Sequence, residues 1–255
     1  MSAADVFRLT GDRFREGWLA IEPRARRRWC IAMVLGFAGL VALVLVLVAT
    51  TRRVEAAGAL AWETPFLLKL ANDSPYPFST AVWLQTFGTD ITLWFLVAAT
   101  AGIAIWLRRP ITGATIVIGY IYLDIVVRIG WLTWDRARPA LLLEGFAAPG
   151  FHSFPSGHTG KTFVVYGLLI ALWIRSTPSL VERIVATIFL FFVTIVVPFS
   201  RLTMGVHWPS DLIGGWLLGA ALLAFLLFAL RYERPAPAFA GEAPRDEDTE
   251  LAGYR

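Results

Sequence analysis

The chain is built on a succession of long apolar runs separated by short, arginine-bearing turns. Runs at about 29–50, 81–107, 111–133, 156–174, 184–199 and 211–230 approach or exceed the length needed to cross a hydrocarbon core as a helix. Inside a bilayer the backbone must satisfy its own hydrogen bonds, so runs of this kind fold as helices. The expected fold class is therefore all-α, a polytopic membrane protein with six transmembrane helices in one domain. Hydrophobic residues make up 57% of the chain and charged residues 16%, which excludes a soluble globular domain. Cys30 is the single cysteine, so no intrachain disulfide forms.

The net charge of +4 is carried almost wholly by arginines that flank the apolar runs. Such placement is a topology signal rather than a nucleic-acid footprint, so no nucleic-acid partner is expected. Arg24, Arg26, Arg27, Arg28, Arg108, Arg109, Arg175, Arg183, Arg231 and Arg234 fall on one side of a six-span layout, which sets both termini in the cytoplasm. Residues 1–28 form a cytoplasmic segment, with Phe7, Phe14 and Trp18 suited to an interfacial helix. Residues 29–230 form the membrane domain, and the Pro-, Ala- and acid-rich residues 231–255 read as a disordered cytoplasmic tail. The connection at 51–80 lies outside, with a short interfacial helix near 65–70.

Three polar clusters then share the outer face: Asp135-Arg136-Ala137-Arg138-Pro139, Phe154-Pro155-Ser156-Gly157-His158, and the stretch from Ser200 and Arg201 to His207 and Asp211. Arg138 and Arg201 offer planar donor forks suited to phosphate oxygens. Ser156 and Gly157 open a helix whose first amides form an anion site. His158 lies in its first turn, placed as a proton donor. His207 precedes Asp211 by four residues, one helical turn, so the carboxylate reaches one ring nitrogen and leaves Nε2 free to attack. Zinc held by histidines and Asp211 is the rival reading, and Arg138 and Arg201 argue against a cation there. A hydrolase using Ser156 as nucleophile lacks the Gly-x-Ser-x-Gly elbow.

Arg138-Pro139, then Pro155-Ser156-Gly157-His158, then Ser200-Arg201 with His207 and Asp211 resembles the three-part signature of the type 2 phosphatidic acid phosphatase superfamily. That family also contains soluble acid phosphatases and vanadium haloperoxidases. The resemblance covers about 87–230, with motifs at 131–139, 155–158 and 200–211. It implies the helical bundle of the family's membrane-embedded lipid phosphatases, and the same assignment: His207 as nucleophile, Asp211 as its orienter, His158 as acid. Arg138, Arg201, Ser156 and Gly157 would bind phosphate, with Arg136 beside them. The family carries a lysine seven residues before the first-motif arginine, and Trp131 stands there in this chain. Lys161, Arg128 or Arg136 is expected to supply the missing charge. The other reading of Arg128 is a structural ion pair with Asp124. His152, outside the signature, is an accessory candidate that fits a solvated loop.

The expected activity is hydrolysis of a phosphomonoester or diphosphate on a lipid through a phosphohistidine, with no metal and no cofactor. Phosphatidic acid, phosphatidylglycerol phosphate, lipid A phosphate and polyprenyl diphosphate all fit. An undecaprenyl-diphosphate-type phosphatase or phosphotransferase is the specific alternative. A non-catalytic lipid-phosphate binder and a haloperoxidase are further ones. The expected location is a bacterial inner membrane, with the site on the periplasmic side.

Overall fold

The computed structural model describes residues 2–74, 76–139 and 152–233, and these residues are helical or lie in short connections. The elements are α1 (Ala3–Ala20), α2 (Pro23–Ala56), α3 (Glu63–Asn72), α4 (Phe78–Leu84), α5 (Asp90–Trp106), α6 (Pro110–Thr133), α7 (Gly157–Ser176), α8 (Leu180–Thr203) and α9 (Pro209–Ala229). Short 3-10 turns follow α4 and α9.

Local chemistry explains the boundaries. Ser2 and Asp5 form a reciprocal capping box on α1. Proline opens α2, α6 and α9, where a missing amide hydrogen costs nothing. Ser156 and Ser179 cap α7 and α8. The first amides of α6 are satisfied from far away. Ile111 and Thr112 donate from their backbone to the Glu233 carboxylate at 2.9 and 3.0 Å. Thr89, at the cap position of α5, makes no side-chain cap bond, and its hydroxyl donates to the Thr86 carbonyl instead.

Among the described residues, five segments are long and apolar enough to cross a membrane: Pro23–Ala56, Phe78–Trp106, Pro110–Thr133, Leu180–Thr203 and Pro209–Tyr232. The protein is thus an integral membrane protein. The expected count of six is not reached on this measure, and the missing one is α7. That 20-residue helix opens Gly-His-Thr-Gly-Lys-Thr and lies inside the bundle, with Thr159 to Thr162 and Val164 to Leu168 buried. A helix shielded by its neighbours has no need of an apolar surface. By contrast α8 turns Ile188 and Phe191, each 63% exposed, outward to the hydrocarbon. The first span extends beyond 29–50 at both ends, taking in Arg24 to Arg28 and reaching Ala56. The helix in the 51–80 connection is α3, also longer than expected.

α7 packs on α6, α8 and most extensively on α9. A Cβ on Gly215 would lie 2.6 Å from the Ser156 carbonyl oxygen, so only glycine permits this approach of α9 to the start of α7. Pro198 interrupts α8 and leaves the Thr194 carbonyl without its helical donor. The indole of Trp216 on α9 donates to that carbonyl at 3.0 Å. The two contacts tie together the helices that carry the second and third motifs.

Candidate active site

The site forms where the start of α7, the end of α8 and the start of α9 meet the connection 134–139 and residues 152–156. Two backbone bonds hold these strands of chain together: Ser153 N to the Arg136 carbonyl at 3.1 Å and Ser156 N to the Asp211 carbonyl at 3.0 Å.

His207 and Asp211 are both buried. His207 Nδ1 lies 3.3 Å from Asp211 Oδ2, which sets Nε2 toward Arg138, 3.5 Å from Nη1. Asp211 is held on every side. Trp208 N donates to Oδ2 at 2.8 Å, the Ser153 hydroxyl donates to the same oxygen, and Arg136 Nη1 donates to Oδ1 at 2.7 Å. Burial draws the His207 pKa down to about 4, opposed by the Asp211 carboxylate. The imidazole is therefore neutral at physiological pH, as a nucleophile must be.

Arg138 is half-buried, donating to the Val206 carbonyl at 2.9 Å and the His152 carbonyl at 3.3 Å. Arg201 is buried and donates through Nη1 to Gln85. Its Nε is buried without a hydrogen-bond partner among the described residues. A donor orphaned in a buried position is costly, and an anion at this point would satisfy it. His158 lies within electrostatic reach of Arg201, His207, Lys161 and Arg138. Ser156 Oγ accepts from the Thr159 amide at 3.4 Å and the Thr159 hydroxyl at 3.0 Å, which leaves its own proton to donate.

The remaining candidates are engaged with other partners. Arg136, expected beside the phosphate, is instead committed to carboxylates. Besides Asp211, it reaches Glu63 Oε2 at 2.9 Å and Glu55 Oε1 at 2.8 Å. Glu63 is 1% exposed, and its other oxygen accepts from Ser210 N at 2.7 Å. Lys161 Nζ sits between Asp124 at 2.7 Å and Asp90 at 2.9 Å. Arg128 pairs with the same Asp124 at 2.8 Å and is largely exposed, as the structural reading of that pair expects. Trp131, at the lysine position of the family, donates its indole N–H to the Pro155 carbonyl at 3.2 Å and stacks on His152. His152 itself pairs with Asp135 at 2.9 Å.

Sequence reasoning missed Glu55, Glu63 and Gln85. They lie more than 70 residues before their partners and belong to no motif. The only available signal was Glu63 heading an otherwise apolar amphipathic segment.

Residues 112–235 match the model of the PAP2 superfamily. An undecaprenyl-diphosphatase of Sulfolobus acidocaldarius is 29% identical over 150 residues, covering 54% of this chain and 64% of that protein. This chain thus spans slightly less than two thirds of the relative's length. The fold is similar to that of a transmembrane PAP2-type phosphatidylglycerolphosphate phosphatase from Bacillus subtilis, with a TM-score of 0.64 and 20% identity over 78% of this chain and 98% of the other. Aquifex aeolicus LpxE aligns with a TM-score of 0.50 and 20% identity over 67% and 96% of the two chains. The three motifs, brought to one place, all lie inside the segment 112–235 that matches the PAP2 superfamily.

Proposed function

We propose that the protein is a membrane lipid phosphatase acting through a phosphohistidine. The observation that carries this reading is the convergence of a neutral, buried His207 with two guanidinium groups, one of which has an orphaned Nε. In the first step His207 Nε2 attacks phosphorus and the bond to the lipid oxygen breaks. His158 gives its proton to that oxygen. Asp211 stabilises the imidazolium that forms at His207. Arg138, Arg201, the Ser156 hydroxyl and the first amides of α7, Gly157 included, neutralise the three equatorial oxygens. The charge of the bound phosphate favours the protonated form of His158 before transfer. In the second step His158 takes a proton from water, which attacks phosphorus, cleaves the N–P bond and releases phosphate. Guanidinium groups and a helix N-terminus supply the charge stabilisation, so no step calls for a metal.

Arg136 has a different part in this scheme. It fixes Asp211 and so holds His207 in register, while Glu55 and Glu63 neutralise it. Lys161 and Arg128 lie against Asp90 and Asp124, and we assign them to the wall of the site rather than to the phosphate. The domain layout of the sequence reading, 29–230 as catalytic unit, extends to Glu233, whose carboxylate caps α6. The arginine distribution supports a site on the outer face and both termini inside.

A lipid diphosphate is the more specific reading, favoured by the named activity of the Sulfolobus acidocaldarius relative. Phosphate release should be measured over a panel holding phosphatidic acid, phosphatidylglycerol phosphate, a lipid A phosphate and a polyprenyl diphosphate. Release from at least one, unchanged by chelator and blocked by vanadate, is expected. Binding without release from any would favour a transport or binding protein.

A further inference from the structure

The far end of the bundle holds a second polar cavity, of about 530 Å³. α7 runs 20 residues from the site to that end, about 30 Å at the helical rise, so the two places are independent. The cavity is lined by Arg108 and Arg109 from the turn between α5 and α6, Arg175 from the last turn of α7, and Leu107, Leu172 and Glu233. Its volume is that of a small-molecule site.

The charge inside is not balanced. Glu16 pairs with Arg108 at 3.1 Å on the exposed rim. Glu233 is within electrostatic reach of Arg109, but its oxygens accept from the first amides of α6. Among the described residues, Arg109 and Arg175 form no ion pair and no side-chain hydrogen bond. The wall of the cavity is mixed, guanidinium groups beside leucines, which suits an amphiphile more than a soluble anion. Its position suits one as well, because α6 begins here and α7 and α9 end here. α1 closes one side of it, with Gly17 packed so tightly that a Cβ would lie 2.8 Å from the Arg108 carbonyl. Arg13 of α1 lies over the Trp106 ring. The rest of α1 leaves Phe7 80% and Leu19 62% exposed, an apolar face fit to lie in the membrane surface.

We propose that this cavity binds the phosphodiester headgroup of an anionic phospholipid from the leaflet at that end. The phosphate lies between Arg109 and Arg175, and the glycerol and upper acyl chain lie on Leu107 and Leu172. Bound lipid joins the turn before α6 to the end of α7 and keeps α1 seated.

The test uses the full chain in detergent with phosphatidylserine, which carries no phosphomonoester to hydrolyse. Native mass spectrometry should show saturable binding of one lipid that phosphatidylcholine does not compete and inorganic phosphate does not displace. The double variant R109Q/R175Q should weaken that binding about 25-fold, roughly fivefold per arginine. Its phosphate release from a short-chain soluble substrate should stay unchanged, which reports an intact fold. R109K/R175K should recover part of the affinity. Equal binding by wild type and R109Q/R175Q would overturn the proposal, as would full displacement by inorganic phosphate. Binding seen only in a chain ending at Glu233 would also overturn it, because the acidic residues 246–250 would then be the occupant.

Discussion

At the scale of single residues, the chemistry rests on a histidine kept neutral in a buried, positively charged setting. With the His207 pKa near 4, the fraction of neutral nucleophile is flat from pH 8 down to about 5. The acid limb of kcat/KM due to this residue should therefore lie near pH 4, measurable with a soluble short-chain substrate; a limb at the usual histidine value near 6.5 would contradict the burial argument. The same shift affects stability. The unfolded chain binds this proton below about 6.5 and the native one only below about 4, so His207 costs up to about 1.4 kcal/mol for each pH unit lost in that window. The chain should melt at lower temperature at pH 5 than at pH 7, and His207→Asn should narrow the gap. Glu63→Ala removes one of three carboxylates on Arg136 and leaves the Ser210 amide unpaired, at a cost of about 1–3 kcal/mol. Glu63→Gln keeps the shape and should lower kcat more than it changes KM. An unchanged kcat in the glutamine variant would remove the positioning role of this network.

These residues also show what a reading of the chain alone can reach. His207 and Asp211 were legible because their spacing is one helical turn and both belong to the same strand of chain. The carboxylate partners of Arg136 were not legible, because Glu55 and Glu63 lie in a different part of the sequence and nothing local reports the charge balance of a guanidinium. Trp131 was visible as a departure. Its use as a donor to the Pro155 carbonyl was not, since that depends on how the start of α7 folds back over α6.

At the scale of elements, the site depends on how closely α9 approaches α7. Gly215→Ala sets a methyl group 2.6 Å from a backbone oxygen that cannot move aside cheaply. A loss of about 1–3 kcal/mol in stability is expected, with a fall in kcat as the second and third motifs move apart, both read from melting and turnover of the purified protein. Trp216→Phe tests the other tie. It leaves the Thr194 carbonyl unpaired beside Pro198 and should cost about 1–3 kcal/mol. The apolar elements were readable from hydropathy because exposed spans such as α8 must match the lipid. The apolar run at 156–174 was expected as a fourth span; a helix forms there, α7, but with its polar first turns it is not among the segments long and apolar enough to cross.

At the scale of the whole molecule, two polar centres lie at opposite ends of one bundle: the proposed phosphate site at the starts of α7 and α9, and an arginine-lined cavity at their ends. The family-matched segment 112–235 holds the histidines and the motif arginines. The earlier third of the chain supplies the supports, namely Glu55, Glu63, Gln85 and the α1 face of the second cavity. Deleting α1 should therefore leave the chemistry at Nε2 in place while lowering thermal stability, checked by melting and turnover of a chain starting at Pro23. The most direct measurement is chemical trapping of the intermediate. Full-length protein is mixed with a lipid substrate labelled at the transferred phosphorus, quenched in base within one turnover, and digested. An acid-labile phosphate on the peptide holding His207, absent in His207→Ala, is the predicted result. Label on another residue, or turnover by His207→Ala at a rate near wild type, would contradict the account.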